Sequence, residues 1–155
     1  EFANAERFPQ ASEIVVDAFD RGIARLPLGP NHHVLIATRG HKLDDEALLA
    51  AARSNAGWIG LLGSRRKAVL LFRRLYEAGV PEDRIRRMRA PVGLDLGGRR
   101  PEDIALSILA EITAEIHGAS ARDLSMMSDR VRAKIKGGIA RDRAATGEAT
   151  SAGEA

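Results

Sequence analysis

The sequence predicts an α/β domain, a parallel sheet with helices packed on both faces. Three observations predict it. Short apolar runs of strand length alternate with helical patterns along most of the chain. The run "HVLIAT", His33 to Thr38, is apolar without polar alternation, as in a strand covered on both faces. The order strand, helix, strand, helix, strand, helix is that of a doubly wound sheet.

Taken in order, "EIVV" (Glu13 to Val16) is the first strand candidate, and Asp20 is the N-cap of a short helix ending near Pro27. "HVLIAT" is the second strand. In "DDEALLAAARSN", Asp44 is read as the helix cap, with Asp45 and Glu46 suiting the positive helix end. "GWIGLLG" (Gly57 to Gly63) is the third strand. Ser64 caps the next helix, which runs to about Ala78 and stops at Gly79, with Pro81 beyond. "EDRIRRMR" reads as a basic connector. "APVGLDLGGRR" reads as a glycine-rich loop with room for one more short strand.

Pro101 opens the following helix, with Glu102 and Asp103 in its first turn. There Ile104, Ile108, Ile112 and Ile116 stack at spacing four beside Leu109, Glu111 and Glu115 mark a wetter face, and Gly118 ends the helix. The division expected is therefore a domain over residues 1–118 and a basic tail over 119–155. The tail reads as one loose helix, then a disordered end, "ATGEATSAGEA".

Composition narrows the function. With 155 residues and 45% hydrophobic content, the chain can bury an ordinary core, built from aliphatics because aromatics are only 4%. There are no cysteines, which removes disulfides and thiolate chemistry and fits a reducing, cytoplasmic setting. No run has the length and apolarity of a membrane span, and no membrane partner is expected. The net charge is +3, with both signs interleaved and few aromatics for base stacking, which argues against nucleic acid. The opening "EFANAERFPQ", without a methionine, reads like a segment cut from something longer.

Ligands of open parallel sheets collect beyond the carboxyl ends of the strands. Three loops fall there: "TRGHKLDD", "GSRRK" and "GLDLGGRR". Cations are unwelcome in the first turn of a helix unless an anion sits against its free N–H groups. That reasoning marks Gly63, Ser64, Arg65, Arg66 and Lys67 as an anion site. The alternative is that these side chains point into water or pair with Asp44 and Asp45. His41 of "TRGH" is suited to ligand binding or proton transfer, or is a plain loop residue. Asp95 either accepts from a heterocycle or satisfies turn amides. His32 and His33 lie at the other end of their strand and are discounted as metal ligands.

Together, "VLIATRGHKLDDEALLAAA", "WIGLLGSRRK" and "APVGLDLGGRRPEDIALSILAEI" resemble the C-terminal Rossmann-like domain of the xanthine dehydrogenase accessory proteins, the XdhC/CoxI family. The likeness runs from Phe2 to Gly118. It implies an accessory protein rather than an enzyme. Such a protein binds molybdenum cofactor, protects it during sulfuration and assists its insertion into xanthine dehydrogenase-type apoenzymes. A cysteine desulfurase is a further implied partner. Thr38, Arg39, Gly40 and His41 match one family block, and Ser64, Arg65, Arg66 and Lys67 another. The family's first strand, with its Gly-x-Gly-His turn, precedes the point where this chain opens. Arg100 also stands where the family has a capping threonine, a loss of about 0.5–2 kcal/mol.

Two other readings stay open. One is an NAD(P)-binding oxidoreductase, since such folds often hold nicotinamide cofactors. The other is an interaction fragment whose bare sheet edge pairs with a second copy in a homodimer.

Overall fold

The computed structural model describes residues 2–122 and 129–145. Two compact units divide the chain, Glu1–Ala119 and Ser120–Ala155.

In the first unit, helix α1 (Phe19–Arg25) is followed by strand β1 (His33–Ile36), helix α2 (His41–Arg53) and strand β2 (Trp58–Leu61). Helices α3 (Arg65–Glu77), α4 (Glu82–Arg86) and α5 (Pro101–Ile116) complete it. β1 and β2 pair in parallel, with His33 opposite Trp58 and Ile36 opposite Leu61. A single bridge joins Gly60 to Arg89 on the other side of β2. Arg89 donates to Ile59 at 2.9 Å, and Val92 donates to Leu61 at 3.0 Å, so residues 89–92 line β2 without forming a full strand.

The sheet separates two apolar clusters, as a parallel sheet with helices on both faces requires. Ile36, Ile59 and Leu61 meet Leu48 and Ala51 of α2, Leu71 and Leu75 of α3, and Ile85 of α4. On the other face Trp58 and Val92 pack against Ile104, Ile108 and Ile112 of α5. Gly60 makes the second cluster possible. A Cβ there would stand 2.3 Å from the Trp58 ring and 2.7 Å from Val92.

Several elements differ from expectation. Glu13–Val16 forms no strand: among the described residues no backbone hydrogen bond pairs it with another segment, and Val16 is 78% exposed. Asp20 is not the cap of α1. That place falls to Ala18, and Asp20 sits in the first turn. "EDRIRRMR" is not a plain connector, because its first part is α4. Ile85 and Met88 there reach the core, and Arg84 folds inward to four carbonyls, including Ala56 at 2.6 Å and Ser54 at 2.9 Å. Burial lowers the Arg84 pKa. Leu109 and Ile116 do not join the isoleucine stack, each being 60% exposed. Glu111 is less wet than expected and accepts the Gly93 N–H at 2.8 Å.

The stops and starts of α3 and α5 match expectation. Ser64 accepts the Lys67 N–H at 3.3 Å, Gly79 takes φ +74°, and Pro101 opens α5. In the second unit the described element is α6 (Asp129–Ala145), on which Arg132, Lys134, Lys136 and Arg141 are exposed. The expected disordered end, 146–155, lies outside the described residues.

Candidate functional site

Parallel pairing sends both strands the same way, so the turns after Ile36 and Leu61 leave the sheet at its carboxyl edge. Each leads into a helix, and the two turns are tied by side chains. The Thr38 hydroxyl donates to Asp44 Oδ1 at 2.6 Å. The other Asp44 oxygen takes the ammonium of Lys67, on α3. Asp44 has no exposed surface, and the Lys67 side chain keeps 14% of its own.

Asp44 is therefore not the cap expected from its place before an apolar run. α2 starts earlier, at His41, with Gly40 in the capping position and offering no side chain. Asp44 falls one turn inside the helix, where its carboxylate is buried. Lys67 is likewise turned away from solvent, and Arg74 pairs with Asp45. Of the cations at the start of α3, Lys67 is the one that takes the expected pairing, with Asp44, while Asp45 is held by Arg74, a residue outside that turn. A Cβ on Gly63 would lie 2.9 Å from Lys67 Cδ, so the glycine leaves room for the lysine stem to fold back.

Arg65 and Arg66 behave differently. Both are exposed at the start of α3, and among the described residues no carboxylate pairs with either. Their N–H groups have no intrahelical acceptor, as at the start of any helix, while Ser64 satisfies that of Lys67. Two arginines and two backbone donors thus share the first turn, at the positive end of a 13-residue helix.

The remaining residues divide. Arg39 is exposed and stacks on Phe2, its guanidinium carbon 4.1 Å from the ring centroid. That contact joins the N-terminal segment to the turn after β1, and local sequence pattern carries no sign of it. Of His41 only the backbone is described. Asp95 accepts the Gly97 N–H at 3.3 Å, the turn-satisfying role.

Among the described residues no hydrogen bond or ion pair links the Asp95 loop to the Gly63–Lys67 turn. A separate cavity of about 280 Å³ is lined by the loop itself and by α5, with Asp95, Arg99, Asp103 and Ser107 on its walls. Arg99 is exposed there, and Arg100 is bound to Asp103 at 3.0 Å. Asp103 also accepts the Arg100 N–H at 3.2 Å. The helix end lacking a threonine hydroxyl is therefore closed from the opposite direction. The Arg100 guanidinium, then its N–H, holds the Asp103 carboxyl below its ordinary pKa.

Residues 1–112 match the XdhC Rossmann domain. The chain belongs to that family. This XdhC-family chain is 42% identical over 113 residues to the uncharacterized protein YqeB of Escherichia coli, an alignment covering 72% of the chain and 20% of YqeB. It is 27% identical to a probable xanthine dehydrogenase subunit of Bacillus subtilis, covering 72% of the chain and 32% of that protein. It is 36% identical over 76 residues to the molybdenum cofactor insertion chaperone PaoD of Escherichia coli, covering 48% of the chain and 24% of PaoD. A crystal structure of a xanthine dehydrogenase from Bacillus halodurans superposes with TM-score 0.63 at 28% identity, over 84% of the chain and 35% of that protein. The XdhC-family chain thus spans about a fifth to a third of the length of the relatives it matches.

Proposed function

We propose that this chain is the ligand-binding part of an accessory protein that handles molybdenum cofactor for xanthine dehydrogenase-type hydroxylases. The observation that carries the reading is the start of α3. Arg65 and Arg66 stand exposed there, unpaired among the described residues, beside two free N–H groups at the carboxyl edge of a parallel sheet. Family membership and the role that PaoD's name gives it support the choice of ligand.

The donor set fits one end of that cofactor. Guanidinium groups and helix N–H groups suit the phosphate of a pterin, or the diphosphate of its dinucleotide form. The chain has no cysteine and offers no thiolate to molybdenum. Arg65 and Arg66 would hold the phosphate, and the Thr38–Asp44 turn would stand beside it. The cofactor itself supplies the oxygen-transfer chemistry once it sits in the hydroxylase. The work of this chain is to bind and orient its cargo during sulfuration by a cysteine desulfurase and delivery to the apoenzyme, in the cytoplasm.

The test is anaerobic purification of the protein from a host making molybdenum cofactor, followed by oxidative release and fluorescence detection of pterin. Wild type is expected to carry pterin, and Arg65→Gln/Arg66→Gln to carry much less. Absence of pterin from wild type, with saturable NADH binding in its place, overturns the reading in favour of a nicotinamide enzyme.

A further inference from the structure

Lys67 stands third in α3, beside Arg65 and Arg66, where all three cations look equally available to an anion. The structure treats it differently. Its ammonium rests on the fully buried Asp44 carboxylate, whose second oxygen holds the Thr38 hydroxyl at 2.6 Å. Thr38 also reaches the Gly40 carbonyl at 3.2 Å, so the network begins in the turn after β1 and ends in the first turn of α3. Gly63 is part of it, because a side chain there would meet the Lys67 stem at 2.9 Å.

An anion at the helix start has little means to recruit Lys67. Withdrawing the ammonium would strand a buried carboxylate. That costs far more than a solvent-exposed ammonium–phosphate contact returns. Arg65 and Arg66 carry no such obligation among the described residues.

We infer that Thr38, Asp44 and Lys67 form a clamp that positions the two ligand turns, and that contact with the anion falls to Arg65 and Arg66. Lys67 is a positioning residue and not a ligand. This inference rests on the proposed anion site, and its test separates the two.

The probe is inorganic pyrophosphate, titrated calorimetrically into the full chain at several salt concentrations. Arg66→Gln is expected to weaken binding about tenfold and to flatten the dependence of log Kd on log salt, because a charge facing the anion is gone. Asp44→Asn/Lys67→Met removes both clamp charges. It is expected to weaken binding about threefold to tenfold while keeping the wild-type salt slope, since the charges facing the anion remain. A flattened slope in that double variant, like that of Arg66→Gln, overturns the inference.

Thermal melts of Asp44→Asn, Lys67→Met and their combination give a second readout. The clamp requires the double variant to lose clearly less Tm than the two singles added together. Additive losses overturn it. Failure of wild type to bind pyrophosphate overturns the anion site instead, and the melts still decide the clamp.

Discussion

The Thr38 hydroxyl donates to the Asp44 carboxylate at 2.6 Å, across the turn joining β1 to α2. Asp44 is wholly buried, so the bond serves a charge that water does not reach. A hydrogen bond to a charged group contributes about 1.5–3 kcal/mol. Thr38→Val keeps the shape and removes the donor, and is expected to lose that amount in urea unfolding. Thr38→Ser should retain most of it. Equal stability of the two variants would show the bond to be idle.

Arg84 closes the far end of α2. It donates to Ala56 at 2.6 Å, Ser54 at 2.9 Å and Ala52 at 3.2 Å, all carbonyls at or beyond the end of that helix. Arg84→Met preserves the stem and strips the donors, leaving these carbonyls to the surrounding water. The expected cost is roughly 2–4 kcal/mol, and Arg84→Lys should recover only part of it, because an ammonium cannot span the same acceptors. Denaturant midpoints of the three proteins check the order.

Gly60 is tested by overpacking. The Cβ of Gly60→Ala would stand 2.3 Å from the Trp58 ring, in a cluster that also holds Val92 and Ile108. Forced repacking of this kind costs about 1–3 kcal/mol. Combining the change with Trp58→Leu should cost less than the two losses summed, because the smaller residue vacates the contested space. Strict additivity would mean that the ring is not what the methyl meets.

Acid lability has two identified contributors. Asp17 is held below its ordinary pKa of 3.8 by the Arg21 side chain and then the Ala18 N–H, and Asp103 by Arg100. A carboxyl with a depressed folded-state pKa stabilises the fold above its unfolded value, and that contribution fades as pH falls through the folded value. Stability should therefore decline below pH 3.8, the ordinary value of both groups. Asp17→Asn and Asp103→Asn should each start lower and decline less steeply. Curves running parallel to wild type would remove these two residues from the account.

Much of the fold is legible in the sequence, and the exceptions share a cause. The β2–α3 corner shows itself because its signals are local: a continuous apolar run, a glycine, then a serine that caps. α5 likewise carries its start at Pro101 and its stop at Gly118. Asp44 misleads because a carboxylate before an apolar run looks like a cap, whereas its partner Lys67 belongs to another helix. α4 hides in a charged stretch because Arg84 folds, half-buried, against backbone some thirty positions away, with a separation of 32 to Ala52. Glu13–Val16 shows the opposite error. It has strand composition and, among the described residues, no neighbour to pair with. Of the site, the convergence of cations at α3 can be read. The division between Arg65 and Arg66, which face outward, and Lys67, which does not, depends on a contact that no local pattern carries.

The pairing of β1 with β2 ends at Ile36 opposite Leu61, and Thr38 and Gly63 each stand two places past that pair. The overhangs are equal, so the clamp across them is measured out by the sheet before any side chain is chosen. Deleting one residue within β1 would draw Thr38 back by about 3.3 Å and turn its hydroxyl to the opposite face. Every cation could stay where it is, and the two turns would still no longer meet.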